Sequence, residues 1–259
     1  MSHRQGRDCD WYSEGRLQQL TVASKRTKHG NSCVRATLLV GAGDKAMAEQ
    51  HGHANPAGAS GEAPESLAEA RREVQTCRRC DLNRDATQAV FGAGAARAAL
   101  MLVGEQPGDQ EDLQGLPFVG PAGRVLEGAL QEAGIAREDI YLTNAVKHFK
   151  FAPRGKNRLH QKPNAGEIQA CRFWLGLELG FVRPKVVVAL GATALRALLE
   201  RNATISSLRG TPMALENGTK LIATIHPSFL LRMPDRERAE AERQRFIEDL
   251  TAARKLALH

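Results

Sequence analysis

The sequence predicts an α/β fold, a three-layer α/β/α sandwich around a short, mainly parallel four-stranded sheet. Four short apolar runs carry this prediction, because near-continuous hydrophobicity is typical of strands buried on both faces. Helical patterns separate the runs, and this alternation favours a parallel sheet that helices cover on both sides. The runs are ALMLVG (99–104), DIYLTNAV (139–146), PKVVVALG (184–191) and KLIATIHP (220–227).

The helices are predicted from apolar spacing and from start signals. In PESLAEARREVQTC, Leu67, Ala70 and Val74 share a helical face, and Pro64 and Glu65 stand at its start. The later helical patterns are GRVLEGALQEAG (123–134), NAGEIQACRFWLGLELGF (164–181), GATALRALLE (191–200) and a charged helix over about 235–255.

Length and composition suit one such domain with an appendage. The 259 residues carry a net charge of +7 with a pI near 9.4, and residues 1–60 show no sustained period apart from VRATLLV. We predict a poorly ordered extension over 1–60 and a packed domain over 61–259. No apolar run approaches the roughly 18 residues that span a bilayer, and the N-terminus lacks a signal-peptide pattern. We expect a cytoplasmic monomer without membrane association.

Three polar stretches follow predicted strands: GEQPGDQED, TNAVKH and HPSFLLR. Ligands of open α/β sheets bind outside the carboxyl ends of the strands, so we expect a site where these stretches meet. The segment KHFKFAPRGKNRLHQK (147–162) holds two histidines, six basic residues and no acid, which is typical of a surface that binds phosphates. Its basic residues are Lys147, Lys150, Arg154, Lys156, Arg158 and Lys162.

Five cysteines, an odd number, argue against a disulfide framework and for a reducing compartment in which grouped thiols bind metal. Cys77 and Cys80 form a CxxC pair, and Cys171 stands inside a predicted helix. His148, at the end of a predicted strand, is a candidate fourth ligand. Three thiolates and one imidazole fit either zinc or an iron–sulfur cluster, and spacing does not choose between them. The alternative is that no metal binds, with Cys171 buried as an ordinary apolar residue and the CxxC spacing arising by chance.

Six motifs resemble those of the iron–sulfur uracil-DNA glycosylases, usually called family 4, and within them the cross-linking UdgX group. In order, the motifs are CRRCDL, GEQPGDQED, GLPFVGPAG, TNAVKHFKF, VVVALGATALRALL and HPSFLLR. The match runs from about residue 65 to the C-terminus, three quarters of the chain. The resemblance implies an enzyme that acts on uracil-containing DNA, with single strands preferred.

The resemblance also implies a 4Fe-4S cluster bound at Cys77, Cys80 and Cys171. Ordinary family 4 enzymes typically have Cys at the position of His148, whereas KHFKF resembles the UdgX group, so His148 becomes the expected fourth ligand. The two remaining cysteines fall outside the match and are expected to ligate nothing; they are Cys9 and Cys33.

Uracil excision breaks the bond between C1′ and N1, so negative charge develops on the departing base. The resemblance implies that Phe118 stacks on uracil and that His226 donates a hydrogen bond to O2 of the base. It also implies that Asn144 bonds to N3–H and O4 of uracil, a pattern that cytosine does not offer. Taken alone, Phe118 would be a core residue and Asn144 a backbone cap. Gly104 and Gly108 would let the backbone approach the base closely.

The acidic motif GEQPGDQED holds the water-activating group in family 4 enzymes, and Glu105 takes that position, with Gln106 beside it at the base. In UdgX-like proteins the acid is thought to orient the histidine instead. Asp109 is a further catalytic candidate, and Asp109 and Asp112 are also candidates for fixing the loop. Glu111 is expected to lie in a solvated turn.

GKNRLH resembles the UdgX insertion written KRRIH, with His160 in the place of the histidine that attacks C1′. Neutral imidazole is a competent nucleophile, so the resemblance implies a stable link to the abasic sugar and a single turnover. Two residues depart from the pattern, Asn157 for Arg and Leu159 for Ile, and the loop before Gly155 is a residue or two shorter. The expected DNA contacts are Lys156, Arg158, Arg232 and Ser228, the last also a helix cap.

Two other functions are weighed against capture. A hydrolytic, multiple-turnover family 4 enzyme is opposed by His148 and by the added basic loop. A non-catalytic iron–sulfur DNA-binding module fits the basic surface and the CxxC pair, but it leaves Phe118, Asn144 and His226 unexplained. A nucleotide-binding oxidoreductase is disfavoured, since GEQPG lacks the GxGxxG spacing.

Overall fold

The structure is a computed structural model that describes residues 63–258. These residues belong to one compact unit. The predicted extension over 1–60, with Cys9 and Cys33, lies outside the described residues, so its predicted disorder stays a prediction. Among the helices of 63–258, none combines the length and the apolar content that crossing a bilayer requires.

Six of the eight strands in the described residues form one sheet in the middle of the domain. The strands are β1 (Ala93–Gly94), β2 (Leu100–Gly104), β3 (Ile140–Asn144), β4 (Phe151–Arg154), β5 (Asn157–His160), β6 (Val186–Leu190), β7 (Met213–Ala214) and β8 (Lys220–Thr224). The sheet order is β1-β3-β2-β6-β8-β7, and its four central strands are parallel and match the four predicted runs. The prediction of four strands missed the antiparallel edges, because each edge strand has only two residues.

Helices cover both faces of this sheet. Within 63–258 they are α1 (Leu67–Glu73), α2 (Asp109–Gln114), α3 (Pro121–Glu132), α4 (Ala165–Val182), α5 (Ala192–Leu199), α6 (Ile205–Leu208), α7 (Ser228–Leu231) and α8 (Arg236–Leu258). Apolar side chains of α1, α4 and α5 pack on one face, and those of α3 and α8 pack on the other. The predicted three-layer sandwich is therefore confirmed.

Side chains along each central strand alternate between the two apolar layers. In β2, Met101 and Val103 face the layer of α4, whereas Leu100 and Leu102 face the layer of α3 and α8. Both sets are buried, which is why the strand reads as a continuous apolar run. The same burial leaves the carboxyl ends of the strands as the place where polar residues can gather.

Capping residues fix where two helices begin. α1 begins at Leu67 after its N-cap Ser66, slightly later than the sequence suggested. α4 begins after Asn164, whose side chain accepts a hydrogen bond from Glu167 N at 2.9 Å while the Glu167 carboxylate accepts one from Asn164 N at 2.7 Å. This reciprocal cap sets the start of the helix that carries Cys171.

The basic segment forms a β-hairpin, which the sequence had suggested only as a loop. In this hairpin β4 and β5 pair antiparallel, with Phe151 opposite His160 and Arg154 opposite Asn157. Gly155 takes a φ of 59° in the turn, a conformation that glycine adopts without steric cost. His160 is the last residue of β5, so the hairpin returns it towards the end of β2, beside Glu105.

Candidate active site

A cavity of about 990 Å³ lies at the carboxyl ends of β2, β3 and β8. The three polar stretches expected to meet there all reach it: Glu105 follows β2, Asn144 ends β3, and His226 comes two residues after β8. Phe118 and His160 line the same cavity. The structure thus brings five candidate residues from five separate segments around one space.

Gly104, the last residue of β2, lets two of these side chains approach closely. A Cβ atom at this position would lie 2.3 Å from Asn144 Oδ1 and 2.7 Å from Phe118 Cζ. Phe118 is only 6% exposed, and its ring lies 6.3 Å from the imidazole of His226 with 29° between the two planes. An aromatic face, a carboxamide and an imidazole therefore stand together on one wall of the cavity.

The hydrogen bonds of His226 fix its tautomer. The backbone N–H of Ser228 donates to Nδ1 over 3.2 Å, and Ser228 Oγ lies 2.8 Å from the same nitrogen. Arg232 Nη1 donates to Ser228 Oγ at 2.9 Å. Because Nδ1 accepts, the proton of the neutral ring sits on Nε2, which is left as a donor. Ser228 was expected to cap a helix, but the N-cap of α7 is Pro227, and the Ser228 hydroxyl orients His226 instead.

Burial keeps His226 neutral. It lowers the pKa of this imidazole to about 4, although the Glu105 carboxylate nearby acts in the opposite direction, and the positive charge of Arg232 adds to the lowering. At pH 7 the ring therefore donates a hydrogen bond without carrying a charge of its own.

We expect acid to destabilise the folded protein through His226. An unfolded imidazole gains a proton as the pH falls below about 6.5, whereas the folded ring stays neutral down to a pKa of about 4. The unfolded state then binds more protons, so stability falls with pH across this window. Between pH 7 and pH 5 the loss through this residue should be about 2 kcal/mol. Urea titrations at both pH values should show that the free energy of unfolding of His226→Gln falls by about 2 kcal/mol less than that of the wild type. Equal falls would contradict the lowered pKa of His226.

Glu105 contacts His160 and Thr193. Its Oε1 lies 3.2 Å from His160 Nε2, and its Oε2 accepts a hydrogen bond from the Thr193 hydroxyl. Burial alone would raise the pKa of Glu105, but the hydrogen bonds from His160 and Thr193 hold it below its usual value. The carboxylate is therefore ionised at neutral pH and can accept a proton.

Gln106 holds the base of the hairpin. Its Nε2 donates to the carbonyl oxygens of Lys150 at 3.1 Å and Gln161 at 3.0 Å, and its Oε1 accepts from Lys150 N at 3.2 Å. Sequence reasoning placed this amide beside uracil, and Gln106 does line the cavity. Its hydrogen bonds join the residues that flank β4 and β5, and its contact with uracil stays a prediction. Gln106 thus fixes where the strand bearing His160 ends.

Arg158 fastens the hairpin to α2. Its Nε lies 2.6 Å from Asp109 Oδ1 and its Nη1 lies 2.6 Å from Asp112 Oδ2. The guanidinium carbon stands 5.4 Å and 5.1 Å from the ring centroids of Phe149 and Phe151. Arg158 is therefore engaged within the protein, and Asp109, which also lines the cavity, anchors the hairpin. The phosphate contact expected of Arg158 and the catalytic role expected of Asp109 stay predictions.

Glu111 ties two motifs together and is not the solvated residue that the sequence suggested. It is 7% exposed, and its carboxylate accepts hydrogen bonds from the backbone of Gly108 and Gly120, both at 2.9 Å. A Cβ atom at Gly108 would lie 2.5 Å from Glu111 Oε2. Gly108 therefore makes room for this carboxylate at the edge of the cavity.

The phosphate surface is smaller than the six basic residues of the hairpin segment suggested. Lys147 is fully buried, Lys150 pairs with Glu167 at 2.9 Å, and Arg158 pairs with the two aspartates of α2. The remaining three side chains are exposed, as is the cation that follows α7; these four are Arg154, Lys156, Lys162 and Arg232.

Comparison with known proteins identifies the family. Residues 91–251 match the family model described as the uracil DNA glycosylase superfamily. The chain belongs to the uracil-DNA glycosylase superfamily. Membership agrees with the α/β fold described above and confirms that the protein is an enzyme of the DNA glycosylase class.

Individual relatives cover most of the described domain. A Type-4 uracil-DNA glycosylase of Thermotoga maritima is 38% identical over 182 residues, which are 70% of this chain and 89% of the relative. A Type-4 uracil-DNA glycosylase of Archaeoglobus fulgidus is 37% identical over 186 residues, 69% of this chain and 90% of the relative. A Type-5 uracil-DNA glycosylase of Thermus thermophilus is 33% identical over 187 residues, with 65% and 80% covered.

Three cysteines of this glycosylase lie near one another beside α4. Cys171 Sγ accepts a hydrogen bond from Lys147 N at 3.1 Å, and Cys77 Sγ accepts one from Trp174 Nε1 at 3.2 Å. Burial raises the pKa of Cys171 to about 12 and also raises the pKa of Cys80, and the three sulfurs are close enough to influence one another. Such thiols ionise when a metal cation binds beside them.

Three thiols and one imidazole are donor types that iron–sulfur clusters use. Within 63–258, no three side chains of Cys, His, Asp or Glu are grouped closely enough to share one metal ion. A cluster has a different requirement, because its ligands bind separate irons. His148 is 4% exposed and burial lowers its pKa to about 4, so its ring is neutral, as a ligand must be.

Sequence reasoning missed two polar contacts near the cavity. Thr193 follows a strand and a glycine, a pattern that indicates close packing, and nothing in that pattern pointed to Glu105. Lys147 was counted among surface cations, although it is buried against Glu178 of α4. The signal that could have found it is its position between the apolar Val146 and Phe149, which are both buried.

Proposed function

We propose that this glycosylase excises uracil from DNA and that His160 captures the resulting sugar at C1′. The observation that carries the proposal is the 3.2 Å contact between His160 Nε2 and Glu105 Oε1. Both side chains line the cavity that Phe118, Asn144 and His226 also line. A half-exposed imidazole beside an ionised carboxylate has the arrangement of a nucleophile with a proton acceptor.

Uracil is held by the wall next to Gly104. Phe118 stacks on the base, and the Asn144 carboxamide donates to O4 and accepts from N3–H, a pattern that cytosine reverses. His226 donates from Nε2 to O2, and this bond strengthens as negative charge develops on the leaving base. Because the donor is neutral and already oriented by Ser228, little reorganisation is needed at the transition state.

Capture follows from the balance of electrons and protons. As the bond between C1′ and N1 breaks, its electron pair leaves with uracil. Nε2 of His160 is hydrogen-bonded to Glu105, so it is Nδ1 that donates its lone pair to C1′ and forms the carbon–nitrogen bond. The proton on the other nitrogen passes to Glu105, so the attached imidazole ends neutral, and the uracil anion takes a proton from water. Because His160 is then blocked, the enzyme turns over once.

Hydrolytic excision is the second candidate, and the comparisons favour it. The relatives from Thermotoga maritima and Archaeoglobus fulgidus carry the name Type-4 uracil-DNA glycosylase, which states excision and nothing of a covalent product. In this candidate Glu105 accepts a proton from a water molecule that attacks C1′. His160 then only contacts DNA, and the enzyme turns over repeatedly.

We further infer that Cys77, Cys80 and Cys171 hold a 4Fe-4S cluster with His148 as the fourth ligand. The Type-4 relatives and the grouped, hydrogen-bonded thiols support this inference. When bound, the cluster supplies a structural cross-link and no chemistry at the base. Its ligands would join the segment after α1 to α4 and to the residues that follow β3, and would thereby support Asn144 at the end of that strand.

Uracil-containing DNA, single-stranded by preference, is the substrate that we propose, bound by a monomer. Two exposed cations line the cavity: Lys162, which follows β5, and Arg232, which follows α7. Cations at two sides of one opening can hold successive phosphates of a strand while a base enters the cavity.

Replacing Arg158 with methionine should slow uracil excision about 10- to 100-fold, the range expected for lost hydrogen bonds to charged groups. Methionine keeps much of the packing but releases Asp109 and Asp112, so the hairpin no longer holds His160 against Glu105. Single-turnover excision rates on a uracil oligonucleotide would measure the change.

Lys156→Met is the matched control for the Arg158 variant, because Lys156 is an exposed cation of the same hairpin. It should weaken DNA binding at low salt and leave the maximal excision rate close to that of the wild type. If both variants behave alike, Arg158 acts as a phosphate contact after all.

The proposed function is tested with a single-stranded oligonucleotide that carries one uracil. The protein is mixed with it, boiled in detergent and run on a denaturing gel. A band shifted by the mass of the protein supports capture. Free abasic DNA without a shift supports hydrolysis, and unreacted DNA would mean that neither candidate is right.

A further inference from the structure

A buried ion pair lies directly behind the base-binding wall. Lys147 and Glu178 are both fully buried, and Lys147 Nζ lies 2.5 Å from Glu178 Oε2. The carboxylate is also hydrogen-bonded to Gly92 N at 2.7 Å, to the Thr143 hydroxyl at 2.9 Å and to the Tyr141 hydroxyl at 3.3 Å. The carboxylate therefore has a full set of hydrogen-bond partners, and the catalytic steps above use none of them.

The ammonium group of Lys147 reaches back along its own strand. It donates to the Thr143 hydroxyl at 2.8 Å and to the backbone carbonyl of Asn144 at 2.7 Å. Asn144 is 3% exposed and its carboxamide faces the cavity next to Gly104. The cation thus binds the backbone of the residue whose side chain is proposed to distinguish uracil from cytosine.

The backbone of Lys147 is tied to the cysteine group. Its N–H donates to Cys171 Sγ at 3.1 Å, and Cys171 lies on α4 two turns before Glu178. Helix α4 therefore contacts Lys147 at two points: Cys171 accepts a hydrogen bond from its backbone, and Glu178 pairs with its side chain. Through these two contacts the segment from Asn144 to His148 is held at a fixed distance from α4.

Stability alone is a poor explanation of this pair. Removing two charges from water costs more than their attraction commonly returns, and apolar residues of similar size often serve a core equally well. The buried ammonium does, however, donate to three acceptors at once, so it holds them in fixed relative positions. One of these acceptors is the carbonyl of the Asn144 peptide.

We propose that Lys147 is a positioning residue that orients Asn144 for uracil recognition, with Glu178 as its required counter-ion. The inference rests on the proposed role of Asn144 as the base-reading residue. Lys147 touches no substrate, so its loss should change how well uracil is held and leave the binding of DNA phosphates alone.

The test uses the full chain carrying Lys147→Met together with Glu178→Gln. The pair is then neutral, and the carboxamide oxygen introduced at position 178 still accepts from Gly92 N, so no lone charge is buried. We expect the maximal single-turnover excision rate to fall about 10- to 100-fold, as for loss of a hydrogen bond to a charged group. Inhibition by free uracil should weaken by a similar factor, while affinity for DNA with an abasic-site analogue stays unchanged. Misfolding would instead lower the fraction of active protein without changing the rate constant.

Two further variants separate the possible outcomes. Tyr141→Phe removes one bond to Glu178 without touching Asn144, so its excision rate and its inhibition by uracil should match the wild type. If Asn144→Ala excises uracil much more slowly than the wild type and the double variant does not, the role of Lys147 is refuted, while uracil recognition by Asn144 stands. If Asn144→Ala is itself fully active, the proposed base-reading function fails first. Should the double variant not fold, Glu178→Gln alone is expected to give a smaller loss of the same two quantities, and an unchanged value would overturn the proposal.

Discussion

Replacement of His160 by alanine is expected to abolish the protein–DNA band that survives boiling in detergent, by at least about a thousandfold in initial rate, the scale on which removal of a nucleophile acts. His160 is half-exposed and stands 3.2 Å from an ionised Glu105. The other histidine of the cavity cannot replace it, because Nδ1 of His226 is occupied by the backbone and hydroxyl of Ser228. Denaturing gels over a time course of wild type and variant would measure the loss.

The same experiment separates capture from hydrolysis. If the alanine variant loses the band but now releases abasic DNA, water has taken the place vacated by imidazole and Glu105 activates it. Leu159→Ala is the matched control, since Leu159 is the exposed neighbour of His160 in β5, and it should retain the band. A persistent band in the His160 variant would assign the nucleophile to another residue.

The central sheet and its helices were predictable because burial leaves a periodic signal in the sequence. Val186–Leu190 reads as a continuous apolar run for the reason that both faces of β6 are covered. The edge strands left no such signal, because two residues show no period. The β4–β5 hairpin was missed for a related reason. Its residues are only partly buried, so they show no apolar alternation, and its many basic residues suggested a loop instead of strands.

The members of the cavity were also predictable, but their partners were not. Motifs at strand ends placed Glu105, Asn144 and His226 at one edge of the sheet, since parallel strands end together. Ion pairs depend on which distant residues meet, and a single sequence does not record such meetings. Arg158 therefore read as a phosphate contact although Asp109 lies 2.6 Å away in the fold.

Backbone conformation is the third feature that the sequence concealed. Phe118 has a φ of 57°, which is uncommon for a residue with a large side chain. A Cβ atom at Gly123 would lie 1.9 Å from the Phe118 carbonyl oxygen, so the helix that follows can pack against this backbone only because residue 123 is glycine. The motif GLPFVGPAG thus encodes the placement of an aromatic ring through a glycine five residues later.

Gly104→Ala is expected to lower uracil excision about a hundredfold, because displacements near 1 Å in an active site act on that scale. The new Cβ would overlap Asn144 Oδ1 at 2.3 Å and Phe118 Cζ at 2.7 Å. Both atoms belong to side-chain ends, which can move aside, so the protein should fold while the two groups leave the positions from which they bind uracil. Single-turnover excision and inhibition by free uracil should both weaken.

Gly128→Ala is the control that isolates this effect, because Gly128 lies in α3 and a Cβ there would meet nothing within 4 Å. Alanine is the better helix former, so this variant should be more stable by up to about 1 kcal/mol and fully active. Thermal melts of both variants would separate damage to the fold from damage to the cavity. A Gly104 variant that melts like the wild type and excises uracil at the wild-type rate would show that neither Asn144 nor Phe118 needs its observed position, and the base-binding wall would then have to be sought elsewhere in the cavity.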